Sequence, residues 1–187
     1  VSLREVMESI VNIVQPQVKA KNQRFNAAAY DILSEQVYCD SVRLNQVLIN
    51  LLGNAVKFTP EEGSVQVTVY QEPEEGGRVR THFLVQDTGI GMSKEYQKEI
   101  FDSFSREDNT RVRKTEGSGL GMAITKSIVD AMDGDISVRS EQGKGSEFHV
   151  VLNLERAAEP APDAGLFVGS VLVVDEDERL CVNAVRS

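Results

Sequence analysis

Apolar residues spaced three and four positions apart predict three helices along the chain. The first begins with the S-x-x-E cap formed by Ser2 and Glu5, and the second begins after Asp40 and runs to about residue 56. The third runs from about residue 120 to residue 132, ahead of Gly134. We expect its core face to consist of apolar residues one turn apart: Leu120, Ile124, Ile128 and Met132.

Apolar residues that alternate with polar ones predict strands between the helices. Residues 65–69 and 79–85 alternate in this way on either side of a polar turn, and residues 136–140 and 148–152 repeat the arrangement. Both pairs predict antiparallel hairpins, and two shorter extended pieces precede the second helix. Helices intermixed with hairpins indicate an α+β fold: a two-layer α/β sandwich with a mixed, mostly antiparallel sheet, covered by about three helices on one face.

Changes in composition divide the chain into three parts. Residues 1–154 carry the predicted helices and hairpins and form one domain. Residues 155–168 are rich in alanine, proline and acids, which is typical of a linker. Residues 169–187 begin with a buried-strand pattern that ends in three acidic residues. Because a single strand cannot fold alone, this part is predicted to be the truncated start of a second domain.

Charge and hydropathy argue against two classes of partner, nucleic acids and membranes. A net charge of −9 argues against a nucleic-acid surface, which is normally basic. No apolar run approaches the roughly 18 residues that cross a bilayer, so no membrane contact is expected from this segment. The two cysteines, Cys39 and Cys181, have no metal-ligand spacing and are expected to be free cytosolic thiols.

The first segment with candidate chemistry is N-L-L-G-N-A-V-K-F-T-P, residues 50–60, at the end of the second predicted helix. At 100° per residue, Asn50, Asn54 and Lys57 share one face beside a stripe of core residues. A neutral carboxamide oxygen suits Mg²⁺ when phosphates supply the negative charge, and a lysine supplies a point charge for those phosphates. A solvated polar stripe on an amphipathic helix is the alternative interpretation.

Two glycine-rich segments follow, and neither is a P-loop or a G-x-G-x-x-G pattern. The segment D-T-G-I-G-M, residues 87–92, comes directly after a strand. Its glycines allow the backbone to approach a flat ligand, and its carboxylate suits the exocyclic amine of adenine. The segment G-S-G-L-G, residues 117–121, opens the third helix, where backbone amides bind phosphate well. Taken singly, the first also fits a tight turn and the second a simple helix cap.

In this order and on these elements, the three segments resemble the N, G1 and G2 boxes of sensor histidine kinases of the Bergerat-type ATP-binding superfamily. The resemblance spans about residues 1–154. Residues 100–104 resemble the F box, residues 106–116 the ATP lid, and residues 143–148 the closing G-x-G-T-x-F segment. In that closing segment Ser146 replaces the usual threonine, and the resemblance implies that its hydroxyl supports Asp87.

The resemblance implies a cytoplasmic domain that binds ATP and Mg²⁺, whether or not the parent protein is anchored to a membrane. Asn54 is the implied magnesium ligand. The implied nucleotide contacts are Asn50, Asn54, Lys57, Phe58, Asp87, Gly89, Ile90, Gly91, Met92, Phe104, Gly117, Ser118, Gly119, Leu120, Gly121 and Ser146.

The resemblance also favours phosphoryl transfer over hydrolysis. ATP-hydrolysing branches of the superfamily carry a glutamate, the general base for water, where this chain has Asn50, and an amide cannot accept that proton. The acceptor should be a histidine, but His82 and His149 occupy outward-facing strand positions without the family's acidic neighbour. The acceptor is therefore expected on a dimerisation and phosphotransfer helical hairpin outside this chain, in a homodimeric parent.

Residues 171–177, V-L-V-V-D-E-D, resemble the first strand of a receiver domain, whose paired acids help to bind Mg²⁺. The parent is accordingly expected to be a hybrid kinase that passes phosphate to a receiver domain or response regulator. An arbitrary hydrophobic tail is the alternative for this segment. For the whole chain, the alternative function is a degenerate, non-catalytic nucleotide-binding module that acts through protein contacts.

Overall fold

The computed structural model of the chain describes residues 1–105 and 119–157. The predicted lid (residues 106–116), Gly117, Ser118, the linker beyond residue 157 and the predicted receiver segment (residues 169–187) lie outside these ranges.

Two side-chain caps start the first two helices. Helix α1 (Leu3–Ala20) begins where the Ser2 hydroxyl accepts a hydrogen bond from the Glu5 N–H at 3.2 Å. Helix α2 (Ser41–Phe58) begins where the Asp40 carboxylate accepts a hydrogen bond from the Arg43 N–H at 3.0 Å. Each cap satisfies an N–H that has no partner inside the helix. Both predicted helix starts are confirmed.

The strands form one six-stranded sheet. They are β1 (Arg24–Ala29), β2 (Val37–Tyr38), β3 (Ser64–Pro73), β4 (Arg78–Asp87), β5 (Gly134–Glu141) and β6 (Gly145–Arg156). Their order is β1-β3-β4-β6-β2, and β5 also pairs with β6. Only β1 and β3 run parallel among the described pairs. The predicted mixed, mostly antiparallel sheet and both predicted hairpins are therefore confirmed.

The core lies between one face of the sheet and the helices. Helices α1, α2 and α4 (Gly121–Ala131) pack on this face, whereas the short α3 (Lys94–Glu99) buries no side chain and lies beside β5. Fully burying one large apolar side chain contributes about 1.5–3 kcal/mol. Side chains that are fully buried here include Ile10, Leu48, Leu51, Phe83 and Leu152. The predicted two-layer arrangement is confirmed.

The buried face of α4 is rotated by about one residue step from the prediction: Ile128 is buried as predicted and Met132 packs against the core, but Ile124 does not. Its buried residues are Met122, Thr125, Ile128 and Val129, and Ile124 is 45% exposed. The rotation follows from polar contacts with α2, because Asn50 donates hydrogen bonds to the Gly121 carbonyl and the Thr125 hydroxyl. These bonds turn Thr125 toward the core and leave Ile124 at the surface.

The two histidines occupy the face of the sheet opposite the helices, but His82 is not a surface residue. Its ring stacks on that of Tyr70, with centroids 4.4 Å apart, and on that of His149, with centroids 5.1 Å apart. His82 Nδ1 also lies 2.9 Å from His149 Nε2. The stack continues from Tyr70 to Tyr30, and His82 is only 7% exposed. The prediction of a surface histidine is corrected for His82, because rings on three strands cover each other.

Two further sequence expectations concern the membrane and the thiols. No helix within residues 1–105 and 119–157 combines the length and the hydrophobicity needed to span a bilayer. Cys39 is a free, half-buried thiol whose pKa is raised mainly by burial. Cys181 lies outside the described residues.

Candidate functional site

The polar row of α2 lies at the edge of the core, as its spacing predicts. Asn50, Asn54 and Lys57 are half-buried, whereas neighbouring Leu48 and Leu51 are fully buried. The Asn54 carboxamide makes no hydrogen bond to any described residue. A half-buried amide normally has a hydrogen-bond partner. The Asn54 oxygen is therefore available to a ligand that binds on this face of α2.

A lysine and a glutamine that the sequence patterns did not indicate hold the end of α2. The Lys21 ammonium donates hydrogen bonds to the carbonyls of Val56, Lys57 and Thr59, at 2.8, 2.9 and 2.9 Å. Gln23 Nε2 donates to the Thr59 carbonyl at 2.7 Å. A cation at a helix C-terminus also interacts favourably with the helix dipole. Together they fix the turn that carries Lys57, whose ammonium lies 5.3 Å from the centre of the Phe58 ring.

Asp87, the last residue of β4, presents a half-buried carboxylate. Its Oδ1 accepts a hydrogen bond from the Gly89 N–H at 2.8 Å. Burial raises the pKa of Asp87, and hydrogen bonds from the backbone N–H groups of Gly89 and Ser146 partly oppose that rise. A carboxylate that is removed from water in this way is a strong acceptor for a donor on a ligand.

The first glycine segment is held between α2 and the turn that joins β5 to β6. The Ile90 N–H donates to the Phe58 carbonyl at 3.2 Å, and the Gly143 N–H donates to the Ile90 carbonyl at 2.7 Å. Gly91 has a φ of 64°, and a Cβ there would overlap the Glu141 carbonyl oxygen. Gly91 is thus required by the protein's own backbone, whatever ligand lies beside it.

The structure corrects the expected role of the Ser146 hydroxyl, which contacts Ser140. The Ser146 hydroxyl lies 2.9 Å from the Ser140 hydroxyl, not against the Asp87 carboxylate, which Ser146 reaches through its backbone N–H. The Ser140 hydroxyl donates its single hydrogen to the Gly145 carbonyl and accepts from the Met92 N–H at 2.9 Å. It follows that Ser146 is the donor in the serine pair.

Gln97, on α3, also holds the first glycine segment against β5. Its Nε2 donates to the carbonyls of Met92 and Ser140, at 3.1 and 2.9 Å, and its Oε1 accepts from the Ser140 N–H. Sequence reasoning missed both Ser140 and Gln97. No pattern in the chain marks either residue, because the bonds from Ser140 to Met92 and from Gln97 to Ser140 join segments more than 40 positions apart.

The second glycine segment enters α4 without a side-chain cap. Leu120 occupies the N-cap position, and its apolar side chain makes no capping hydrogen bond. The Gly119 carbonyl accepts a hydrogen bond from the Phe104 N–H at 3.1 Å, and the Phe104 ring is 73% exposed. An uncapped helix N-terminus with small residues offers its backbone N–H groups to an anion.

An open groove of about 580 Å³ lies beside this helix start. It runs between α4 and the beginning of α2, and Ile124 forms part of its exposed apolar wall. The lining residues are Asp40, Arg43, Ser103, Leu120, Ala123, Ile124, Ser127, Ile128, Ala131 and Met132.

Hydrogen bonds join the three predicted segments into one site. Asn50 contacts Gly121 directly, and Phe58 contacts Ile90 directly. Among the residues that the structure describes, no three His, Cys, Asp or Glu side chains converge in a way that could hold a metal ion.

Comparison with known proteins gives the family. A profile described as "Histidine kinase-, DNA gyrase B-, and HSP90-like ATPase" matches residues 39–156. The chain is 36% identical over 162 residues to the sensor histidine kinase GacS of Pseudomonas protegens, covering 87% of this chain and 18% of GacS. It is 36% identical over 180 residues to the sensory/regulatory protein RpfC of Xanthomonas campestris pv. campestris, covering 96% of this chain and 24% of RpfC. The chain thus spans about a fifth to a quarter of the length of these relatives.

Solved structures agree with this assignment. Full-length ShkA in complex with AMPPNP superposes with a TM-score of 0.70 and 34% identity, covering 85% of this chain and 31% of ShkA. The mycobacterial sensor histidine kinase MprB superposes with a TM-score of 0.68 and 26% identity, covering 84% of this chain and 97% of that one. The chain therefore belongs to the histidine kinase-, DNA gyrase B- and HSP90-like ATPase family, and within that family it is similar to the corresponding domain of sensor histidine kinases.

Proposed function

We propose that this domain binds Mg·ATP and donates the γ-phosphate to a histidine on a separate helical hairpin. The observation that carries the proposal is the pair of hydrogen bonds that the Asn50 carboxamide donates within the protein. An ATP hydrolase needs a general base at this position, whereas both N–H groups of this carboxamide are directed at Gly121 and Thr125. With no base to activate water, a bound nucleotide is kept for another acceptor.

The adenine end of the nucleotide is assigned to Asp87. A carboxylate there accepts the exocyclic amine of adenine and repels the carbonyl that guanine carries at the same position. The Gly89 N–H holds one carboxylate oxygen. ShkA, which shares 34% identity with this chain, carries AMPPNP in its crystal structure. ATP is therefore the proposed nucleotide, with GTP bound much more weakly.

The phosphate end is assigned to the start of α4 and the polar row of α2. The uncapped amides of α4 can bind phosphate oxygens, and Lys57 can supply a positive charge. The Asn54 oxygen, which has no hydrogen-bond partner among the described residues, fits the hard-ligand preference of Mg²⁺. When bound, Mg²⁺ would neutralise phosphate charge during transfer. These local groups offset the repulsion that a net charge of −9 would otherwise exert on ATP.

Titrations with nucleotide variants test these assignments. Asn54→Ala should abolish the gain in ATP affinity that Mg²⁺ confers, because the proposed metal ligand is lost. Lys57→Ala should weaken ATP binding about tenfold and leave adenosine binding unchanged, because the lysine meets only phosphate. Both effects are measured by isothermal titration of ATP, ADP and adenosine with and without Mg²⁺.

Matched controls separate these effects from damage to the fold. Asn45→Ala removes another half-buried carboxamide of α2, one that donates a hydrogen bond to the Ser41 carbonyl and lies more than two helical turns before Asn54. Lys126→Ala removes a lysine that pairs with Asp130 on the exposed side of α4. Both controls should bind Mg·ATP as the unmodified chain does. If adenosine affinity falls as far as ATP affinity in Lys57→Ala, the lysine does not serve the phosphates.

Nucleotide binding should also weaken on acidification at a higher pH than an ordinary aspartate would produce. The proposed adenine contact needs the carboxylate, and burial raises the pKa of Asp87. Affinity should be full above that raised pKa and fall as the pH drops through it. Titrating adenosine from about pH 8 down to about pH 4 follows the loss of affinity without interference from phosphate ionisation. A loss that begins no higher in pH than protonation of an ordinary aspartate would contradict the role of Asp87.

The proposed acceptor lies on a helical dimerisation and phosphotransfer hairpin of the parent protein. The groove beside α4 supports this partner, because it borders Leu120 at the proposed phosphate end and exposes the apolar side chain of Ile124. An amphipathic helix binds such a groove through its apolar face. A receiver domain or response regulator would then take the phosphate from the histidine.

A further inference from the structure

The contact between α2 and α4 contains a polar bridge in an otherwise apolar interface. Asn50 Nδ2 lies 2.8 Å from the Gly121 carbonyl oxygen and 2.6 Å from the Thr125 hydroxyl. Thr125 is only 1% exposed, so water cannot replace its hydroxyl as a partner. Nothing in the proposed nucleotide contacts requires Thr125 itself, which lies more than a turn inside α4.

The chemistry of the two partners fixes which way the Asn50 amide points. A carbonyl oxygen can only accept, so the atom that faces the Gly121 carbonyl must be the NH₂ group and not the oxygen. Its second hydrogen is directed at the Thr125 hydroxyl. With both hydrogens used inside the protein, the Asn50 Oδ1 is the side-chain atom left for a ligand.

The position of that oxygen is also defined. A Cβ added to Gly121 would lie 2.9 Å from Asn50 Oδ1, so the oxygen rests over the Cα of the first residue of α4. The backbone amides of this same first turn have no side-chain cap. Asn50 Oδ1 therefore faces the helix start to which the phosphates are assigned.

We propose that Thr125 is a positioning residue that presents the Asn50 oxygen to the metal–phosphate end of the nucleotide. The inference rests on the proposed function, since it deepens the role of the same site. The Thr125 hydroxyl accepts one hydrogen of the Asn50 amide and the Gly121 carbonyl accepts a hydrogen bond from the same nitrogen, so together they hold the carboxamide in one orientation.

Thr125→Val tests the proposal, because valine keeps the shape of threonine and removes the hydroxyl. The gain in ATP affinity that Mg²⁺ confers should fall about tenfold, while adenosine affinity stays at its original value. Thr125→Ser, which keeps the hydroxyl, should restore most of the Mg²⁺ dependence. In the nucleotide-free chain, NMR should show one Asn50 side-chain N–H that exchanges faster with solvent in Thr125→Val than in the unmodified chain.

Thr81→Val is the matched control. Thr81 is equally buried, and its hydroxyl accepts a hydrogen bond from the side-chain amide of Gln71 at 3.2 Å, in the sheet and away from the glycine segments. It should lose comparable stability without changing the Mg²⁺ dependence. If Thr125→Val does not fold, Thr125→Ala takes its place in both measurements, with the same expected fall in Mg²⁺ dependence and the same faster exchange of the Asn50 side-chain N–H.

The outcomes separate the two proposals. If the unmodified chain shows no Mg²⁺-dependent ATP binding, the proposed function fails, and this inference fails with it. If the unmodified chain binds Mg·ATP but Thr125→Val keeps the full Mg²⁺ dependence and an unchanged Asn50 amide signal, only the positioning role of Thr125 is overturned.

Discussion

Replacing Asp87 by asparagine should weaken ATP binding about 100-fold while the fold remains intact. The geometry makes asparagine a poor substitute for the carboxylate. The Gly89 N–H already points at one side-chain oxygen of Asp87, so an asparagine must turn its own oxygen toward Gly89. Its NH₂ group then faces the ligand. The exocyclic amine of adenine would meet a donor where the proposal requires an acceptor.

The stability of this variant provides the internal control. Burial raises the pKa of Asp87 above its value in the unfolded chain, so the folded protein binds the proton more tightly. Stability is therefore lost as the pH rises through the window between the two pKa values, and the loss is complete above the folded-state value. Asparagine does not ionise, so the Asp87→Asn variant avoids this loss of stability. We expect Asp87→Asn to be at least as stable as the unmodified chain at neutral pH, as measured by thermal unfolding.

A second aspartate and a second nucleotide complete the test. Asp135→Asn changes an exposed carboxylate on β5 and should leave ATP affinity unchanged. GTP should bind the unmodified chain far more weakly than ATP does. If calorimetry gives equal affinities for the two nucleotides, or if Asp87→Asn keeps its ATP affinity, the assignment of the adenine end to Asp87 is wrong.

Local patterns in the sequence were sufficient to predict the elements of the fold. Ser2 and Asp40 cap helices within three residues of themselves, and the alternation in β3 and β4 repeats at every second residue. The polar row of α2 could likewise be predicted, because helical geometry places Asn50 and Asn54 on the same face whatever surrounds them.

Most of the errors and omissions involve contacts between distant segments. The rotation of α4 depends on Asn50, which lies 71 residues before its partner Gly121. Lys21 caps the end of α2 from 35 to 38 residues away, and a lone lysine after a helix gives no sign of that role. His82 is buried by a ring on another strand rather than by its own alternation pattern. Pairings of this kind are set by how the layers pack, which periodicity does not encode.

Incubated alone with ATP labelled at the γ-phosphate, this chain should neither label itself nor hydrolyse ATP appreciably. His82 is 7% exposed and stacked between Tyr70 and His149, so it cannot approach a phosphate bound at the opposite layer of the sandwich. Hydrolysis lacks its base, because the Asn50 amide cannot accept a proton from water. Adding the helical hairpin of the parent protein as a separate chain should produce acid-labile phosphate on the histidine of that hairpin.

The groove beside α4 predicts how this transfer can be blocked without touching the nucleotide. Ile124→Asp should reduce the rate of transfer to the hairpin about 30-fold, the effect of losing a contact worth about 2 kcal/mol. ATP affinity should stay unchanged, because the Ile124 side chain is 45% exposed and is not part of the buried face of α4 that carries Thr125. Ile13→Asp on α1 is the matched control, since Ile13 is 46% exposed and lies outside the groove. Phosphate on His82 or His149 would show that the acceptor lies within this chain. An Ile124→Asp variant that transfers phosphate at the normal rate would show that the hairpin reaches the nucleotide by another route.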